Sequence, residues 1–136
     1  MKRAHSTVAR VGRPSLGETA EVELVVAPEM TARLFDREIH PVYGTQWMVR
    51  NVEESGRMLI ERHLDPDEDA TGYSIELTHE RLARVGDRVA VHARVVHVDG
   101  RECVTEHEVR ARDRVVGRAR FVQRYVPKGA LEEGER

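Results

Sequence analysis

Thr45, Glu53 and His79 are the residues whose types and positions could together support chemistry. Thr45 precedes a run of helix-compatible residues, so its hydroxyl would lie beside the main-chain N–H groups that a helix leaves unpaired at its start. Those groups and the helix dipole can stabilise a carbonyl oxygen as it gains negative charge. Glu53 follows Val49 and Val52 on the predicted apolar stripe of the helix, where a carboxylate is costly unless it is paired or neutralised.

His79 is predicted on the same strand face as Tyr73, Ile75 and Leu77, the face that should meet the helix. An imidazole there could act as a general acid or base near Glu53. Each candidate also has an ordinary structural explanation: a helix N-cap, a helix carboxylate paired with the arginine four residues on, and a histidine at a strand end. Only their joint placement points to a site.

A helix over 46–64 and a following set of strands are the elements that must position these residues. Val49, Val52, Gly56 and Ile60 recur at helical spacing, and the polar segment before Pro66 should end the helix. A glycine inside a helix costs about 1 kcal/mol relative to alanine. We therefore expect Gly56 to mark close packing of the helix against a sheet.

The strands are predicted from alternation and from runs of valine. The candidates are 21–26, 73–80, 88–98, 102–112 and 115–126, whereas 31–35 is predicted as a short extended or turn stretch and 36–44 as irregular. Asp99-Gly100 predicts a two-residue type I′ hairpin turn, and a second tight turn is expected near Asp113-Arg114.

One long helix followed by antiparallel strands predicts an α+β protein in which the sheet wraps the helix, the hotdog fold, because nothing else can cover the apolar face of the helix. We expect a loose arm over 1–14, one domain over 15–128 and a disordered tail over 129–136.

Composition restricts the possible partners. Twenty-two basic and 24 acidic side chains give a formal charge of −2, which does not favour nucleic acid binding. No run approaches the roughly 20 apolar residues needed to span a bilayer.

Cys103 is the only cysteine, so no internal disulfide can form and a reducing, cytoplasmic location is expected. The seven histidines form no metal-binding pattern and no nucleotide-binding loop is present, so no metal or cofactor is predicted.

The segment that holds the three candidates resembles the fluoroacetyl-CoA thioesterase family of hotdog enzymes. The resemblance rests on GTQWMV at 44–49, Glu53, LDPDE at 64–68, Gly72 and the Thr-His pair at 78–79. It extends over most of 15–127 and is most specific over 44–79.

In that family a threonine precedes the central helix, a glutamate lies eight residues on and a histidine a further twenty-six. The spacings of Thr45, Glu53 and His79 are the same. The resemblance implies hydrolysis of a small acyl-CoA or acyl-carrier thioester by these residues. It leaves open whether Thr45 orients the carbonyl or a water, or is the nucleophile, and whether Glu53 polarises His79 or attacks the carbonyl itself.

Three further residues are implied to contact the substrate. Gly72 falls where the family has a glycine close to the substrate, Gln46 replaces a family glycine, and Trp47 adds bulk near the site. Charged residues over 35–40 stand where the fluoroacetate enzymes carry an aromatic lid. The resemblance therefore does not imply selectivity for the fluoroacetyl group.

Two other functions are compatible with the sequence. Asp36 and His40 are faintly similar to the acid and histidine of hotdog hydratases or dehydratases, although their spacing is one residue short. The second alternative function is binding of an acyl thioester without catalysis, because a fold alone does not imply activity. The resemblance and the low aromatic content of 4% predict a homodimer in which two copies share one continuous sheet.

Overall fold

The structure, a computed structural model, describes residues 11–132 and consists of one antiparallel sheet wrapped around one long helix. The strand order in the five-stranded sheet is β1-β5-β6-β7-β4, and β2 pairs with β3 in a separate hairpin. The elements, with a 3-10 turn at Pro28–Met30, are β1 Thr19–Val25, β2 Thr31–Leu34, β3 Arg37–Tyr43, α1 Thr45–Glu61, β4 Glu68–His79, β5 Arg88–Val98, β6 Glu102–Ala111, β7 Arg114–Pro127 and α2 Lys128–Glu132.

The predicted α+β hotdog fold is confirmed, and helix α1 differs from its prediction at both ends. Gly44 is the N-cap residue, with extended backbone and no side-chain cap hydrogen bond, so Thr45 is the first helical residue rather than the cap. A Cβ atom on Gly44 would lie 3.0 Å from the Cα atom of Ala32 in β2, so any side chain there would crowd the main chain of β2. The helix ends at Glu61, three residues earlier than predicted.

The core lies between one face of α1 and the inner face of the sheet. Met48, Val52, Leu59 and Ile60 are fully buried against it. The predicted close approach at Gly56 is confirmed, because a Cβ atom there would lie 2.8 Å from a ring carbon of Phe121 on β7.

The hairpins show where turn prediction succeeded and failed. The β5–β6 hairpin forms, but neither Asp99 nor Gly100 has a positive φ, so its turn is not type I′. The Asp99 carboxylate instead accepts the main-chain N–H groups of Arg101 and Glu102 at 2.8 and 2.9 Å. The two-residue type I′ geometry occurs at the next turn, where φ of Arg112 is 52° and φ of Asp113 is 61°.

The segment predicted as irregular over 36–44 contains β3, which pairs antiparallel with β2. Phe35 and Asp36 join the two strands with φ values of 55° and 60°, a type I′ turn without glycine. The resulting β2–β3 hairpin leads directly into α1, and its position therefore decides what surrounds the start of the helix.

Both ends of the described chain contain residues that contact the rest of the fold. Arg13 is buried, forms a bidentate ion pair with Glu68 at 2.7 and 3.0 Å, and lies 3.4 Å from the ring centre of Tyr125. Arg13, within the predicted arm, thus contacts β4 and β7. The short helix α2 occupies the first part of the predicted tail, while 1–10 and 133–136 lie outside the described residues.

No helix within residues 11–132 is long and apolar enough to cross a membrane.

Candidate active site

The structure brings Thr45 and His79 together. Thr45 begins α1 and His79 ends β4, and the Thr45 Oγ1 atom lies 2.9 Å from His79 Nδ1. This distance allows the threonine hydroxyl to donate a hydrogen bond to the imidazole when Nε2 carries the ring proton. A hydroxyl paired with a neutral imidazole is the arrangement that activates a nucleophile or positions a water.

His79 is held in a partly apolar environment. Its ring packs edge-on against Tyr43, with 6.1 Å between the ring centres, and its Nε2 atom is buried without a hydrogen-bond partner among the described residues. Burial lowers the pKa of His79 below its usual value of 6.5, and the main chain of Arg81 opposes this with a smaller effect. The imidazole is therefore neutral at pH 7 and able to accept a proton.

The start of α1 leaves main-chain amide groups beside Thr45 without a partner in the helix. The carbonyl of Gly44 accepts the N–H groups of Trp47 and Met48, and the Gly44 N–H donates to the carbonyl of Met30. The N–H groups of Thr45 and Gln46, in the first turn of α1, have no acceptor within the helix. Unpaired N–H groups at the start of a helix can stabilise negative charge on an oxygen atom, so an oxyanion formed there would be favoured.

A groove of about 300 Å³ opens beside this pair. We call it the Thr45 groove. Its walls come from the β2–β3 hairpin, the start of α1 and the segment after β4, and it is lined by Ala32, His40, Val42, Tyr43, Thr45, His79, Glu80, Arg81 and Leu82.

Glu53 lies elsewhere on the same chain. Eight residues of helix separate it from Thr45, which amounts to about 12 Å along the axis. Its side chain is exposed rather than set in the apolar stripe, because the buried face of α1 follows Val52 and Gly56. A single chain therefore does not assemble the three predicted catalytic residues.

Glu53 lines a second groove, of about 450 Å³, between α1 and strands β4 and β7. We call it the Glu53 groove. Gly72 lies in it, and a Cβ atom on Gly72 would come within 3.8 Å of Glu53 Oε2. Arg57, considered as an ion-pair partner for Glu53, instead binds Glu61 and Asp69, each at 2.8 Å.

The other predicted substrate contacts lie in the first turn of α1. Gln46 is exposed beside Thr45, and Trp47 packs partly against the core, with the guanidinium of Arg50 4.8 Å from its ring centre. Gly72 thus lies in the Glu53 groove, whereas Gln46 and Trp47 lie next to Thr45 in the first turn of α1.

Sequence reasoning missed the side chains that support the site. Buried Tyr43 donates a hydrogen bond of 2.6 Å to Asn51, whose amide donates to Glu54 at 2.9 Å. Burial and the nearby Glu54 carboxylate raise the pKa of Tyr43, so it remains a neutral donor. Asn51 precedes Val52 on the buried helix face, and a polar residue at such a position could have indicated the contact.

Gln123 was also missed. It lines the Glu53 groove from β7, is 2% exposed, and its Nε2 atom is buried without a partner among the described residues. Gln123 occupies an inward-facing position of β7, and a polar residue at such a position could have indicated a role in a site.

The residues considered for hydratase chemistry are separated. Asp36 lies at the exposed tip of the β2–β3 hairpin, whereas His40 lines the Thr45 groove. Among residues 11–132 there is no group of three or more His, Cys, Asp or Glu side chains placed to hold a metal ion.

The antiparallel sheet wrapped around one long helix is the hotdog fold, and comparison with known proteins places the chain among hotdog thioesterases. A thioesterase superfamily member from Thermus thermophilus is 35% identical, with a TM-score of 0.83 over 87% of this chain and 88% of that one. The model of the fluoroacetyl-CoA-specific thioesterase family matches residues 26–129, and the chain belongs to this family. The prediction that this protein is a thioester hydrolase is therefore confirmed.

More distant structures share the fold. A fluoroacetyl-CoA thioesterase is 22% identical, with a TM-score of 0.80 over 88% of this chain and 93% of that one. A variant of that enzyme was solved with acetyl-CoA. A hot-dog-like protein from Thermanaerovibrio acidaminovorans is 17% identical, with a TM-score of 0.79 over 88% of each chain. No curated protein sequence matches the chain significantly.

Proposed function

We propose that this thioesterase hydrolyses a small acyl-CoA, with Thr45 and His79 of one subunit and Glu53 of a second copy forming the catalytic site. The observation that carries the proposal is the 2.9 Å contact between Thr45 Oγ1 and His79 Nδ1 at the start of a helix. Family membership supports a thioester as substrate. The acetyl-CoA complex of the related enzyme supports coenzyme A as the thiol.

In this proposal the acyl carbonyl lies beside the first turn of α1, and the free N–H groups of Thr45 and Gln46 stabilise the oxyanion. His79 accepts a proton from the Thr45 hydroxyl or from a water that Thr45 orients. The carbonyl carbon gains an oxygen, the C–S bond breaks, and the thiolate of coenzyme A leaves and takes up a proton. Water supplies the second oxygen of the free acid in either route.

A homodimer is the arrangement that would complete the site. Strand β4 lies at the edge of the sheet and pairs with β7 on one side, while six of its 12 residues are exposed and none is proline. A long open edge strand is a template for pairing with another chain. Two copies joined antiparallel along β4 would form one continuous sheet of ten strands.

The position of the residues on β4 supports this pairing. Gly72 and His79 lie at similar distances on either side of Ile75 and Glu76 along the strand. A two-fold axis near Ile75 would set His79 beside Gly72 of the second copy. Because Gly72 borders Glu53, the carboxylate of the second copy would then approach the Thr45–His79 pair.

Gly72, Gln46 and Trp47 are proposed as substrate contacts on this basis. Gly72 would leave room for the thioester beside Glu53, while Gln46 and Trp47 would border it at the start of α1. We also propose a domain over 15–128 and a cytoplasmic location, the latter supported by the single cysteine, Cys103, which is buried and free.

Thiol release over short, branched, aromatic and halogenated acyl-CoAs tests the function. We expect turnover of at least one substrate, and a loss of about 100-fold or more in the His79→Ala variant. The exposed His92 on β5 provides the matched control, since His92→Ala should keep wild-type turnover. Wild-type rates in both Thr45→Ala and His79→Ala would contradict the assignment.

Light scattering at micromolar concentration tests the assembly. We expect twice the 15.5 kDa mass of one chain. A monomer that still hydrolyses acyl-CoA would overturn the shared site, since one chain keeps Glu53 about 12 Å from Thr45.

A further inference from the structure

The basic groups that line the Thr45 groove have no acidic partner. His40 on β3 and Arg81 after β4 both border the groove, and neither forms an ion pair with any acid among residues 11–132. The one carboxylate there, Glu80, binds the guanidinium of Arg118 on β7 at 3.2 Å. The groove beside the reactive pair therefore offers hydrogen-bond donors and positive charge that the described chain does not neutralise.

The Glu53 groove is different. Its arginines are neutralised by carboxylates: Arg50 lies 3.5 Å from Glu54, and Arg57 binds both Glu61 and Asp69. Within the described chain, the Thr45 groove thus carries unpaired basic side chains that the Glu53 groove lacks.

We propose that the Thr45 groove selects acyl groups that carry a terminal carboxylate, which His40 and Arg81 bind. The inference rests on the proposed function and deepens it by naming the substrate class. A guanidinium and an imidazole N–H match the acceptor geometry of a carboxylate. Ala32, Val42 and Leu82 supply apolar walls for the methylene groups between the thioester and the acid.

The dimensions suit a short acyl group. A volume of about 300 Å³ is at the lower end of the range for ligand pockets. A five-carbon diacid monothioester, glutaryl-CoA, carries a carboxylate at its far end, and pentanoyl-CoA has the same number of carbons with a methyl group in that position. The two substrates therefore differ only in the group that the proposal concerns.

The test compares kcat/KM for these two substrates in the wild type and in Arg81→Met, which keeps an unbranched stem but removes the charge. We expect the wild type to prefer glutaryl-CoA, and Arg81→Met to reduce kcat/KM about tenfold or more for glutaryl-CoA and less than about twofold for pentanoyl-CoA. His40→Phe should act in the same direction. Arg84→Met is the matched control, since Arg84 is exposed three residues on and does not line the groove.

Pantetheine thioesters of the same two acids distinguish the two anions that Arg81 could bind, the acyl carboxylate and the phosphates of coenzyme A. These thioesters lack the nucleotide phosphates. An Arg81 effect that persists with glutaryl-pantetheine supports recognition of the acyl carboxylate. An equal effect on both CoA esters that vanishes with pantetheine would assign Arg81 to the phosphates and overturn the proposal. Hydrolysis of pentanoyl-CoA with no preference for glutaryl-CoA would overturn it while leaving the thioesterase function intact, whereas failure to hydrolyse any thioester would refute the function itself.

Discussion

Buried His107 should make the stability of this protein fall at mildly acidic pH. The side chain is 4% exposed, with its Nδ1 atom 2.8 Å from Ser55 Oγ on α1 and its Nε2 atom 2.7 Å from Thr105 Oγ1 on β6. Ser55 donates its own proton to the carbonyl of Val52, so it accepts from Nδ1. A neutral ring, with one donor and one acceptor nitrogen, satisfies both contacts.

Burial, and to a smaller extent the nearby His92, lowers the pKa of His107 from 6.5 to about 4. The unfolded chain therefore binds a proton at this residue between those two values, while the folded chain does not, and stability rises with pH over this window. At 1.36 kcal/mol per pKa unit, lowering the pH from above 6.5 to below 4 removes about 3 kcal/mol of unfolding free energy.

Urea unfolding of the wild type and of His107→Gln, from pH 7.5 to 4 at one fixed protein concentration, measures this effect. Gln retains a donor and an acceptor but does not titrate, so the stability difference between the two proteins should shrink by about 3 kcal/mol as the pH falls. Carboxylates with lowered pKa values, such as Asp87 and Asp99, are common to both proteins and cancel in the comparison. Parallel stability profiles would refute the reasoning.

Three further outcomes follow from the site and the packing. The lowered pKa of His79 means that kcat/KM should stay constant above its usual value of 6.5 and fall only at lower pH, as a pH–rate profile would show. Gly56→Ala should destabilise the fold by about 1–3 kcal/mol in urea unfolding, because the added methyl meets Phe121 at 2.8 Å and outweighs the gain in helix propensity. Arg13→Ala should lower the free energy of unfolding by about 2–3 kcal/mol, since it removes the ion pair with Glu68 and the hydrogen bonds to the main-chain carbonyls of Asp99 and Gly100.

The long regular elements could be predicted because their patterns are strong. Strand β5 has the predicted bounds, 88–98, and the glycine in mid-helix marked the contact with Phe121. The β2–β3 hairpin escaped prediction because β3 contains Pro41 and charged residues, and its turn at Phe35 and Asp36 has none of the glycine or asparagine that usually signals positive φ.

The site could be predicted only in part. The threonine and the histidine are 34 positions apart, and their placement on the predicted elements indicated a shared site that the family resemblance then supported, before the structure placed Thr45 Oγ1 and His79 Nδ1 in contact. Glu53 was predicted to face the core from its place beside Val52, but one helical step turns a side chain by about 100° and carries it to the rim of the buried face. Nothing in the sequence of one chain locates a residue relative to a second copy.

Complementation between two inactive variants tests the shared site most directly. Thr45→Ala and Glu53→Gln are each expected to lose thioesterase activity as homodimers, while a mixed dimer retains one intact site with Thr45 and His79 from one chain and Glu53 from the other. Unfolding and refolding the variants together in equal amounts should restore about a quarter of the wild-type rate of thiol release, because random pairing gives about one-half mixed dimers, each with one of two sites intact. Two inactive variants that refold and mix yet regain no activity would show that the three residues do not act across two subunits, and would contradict the account.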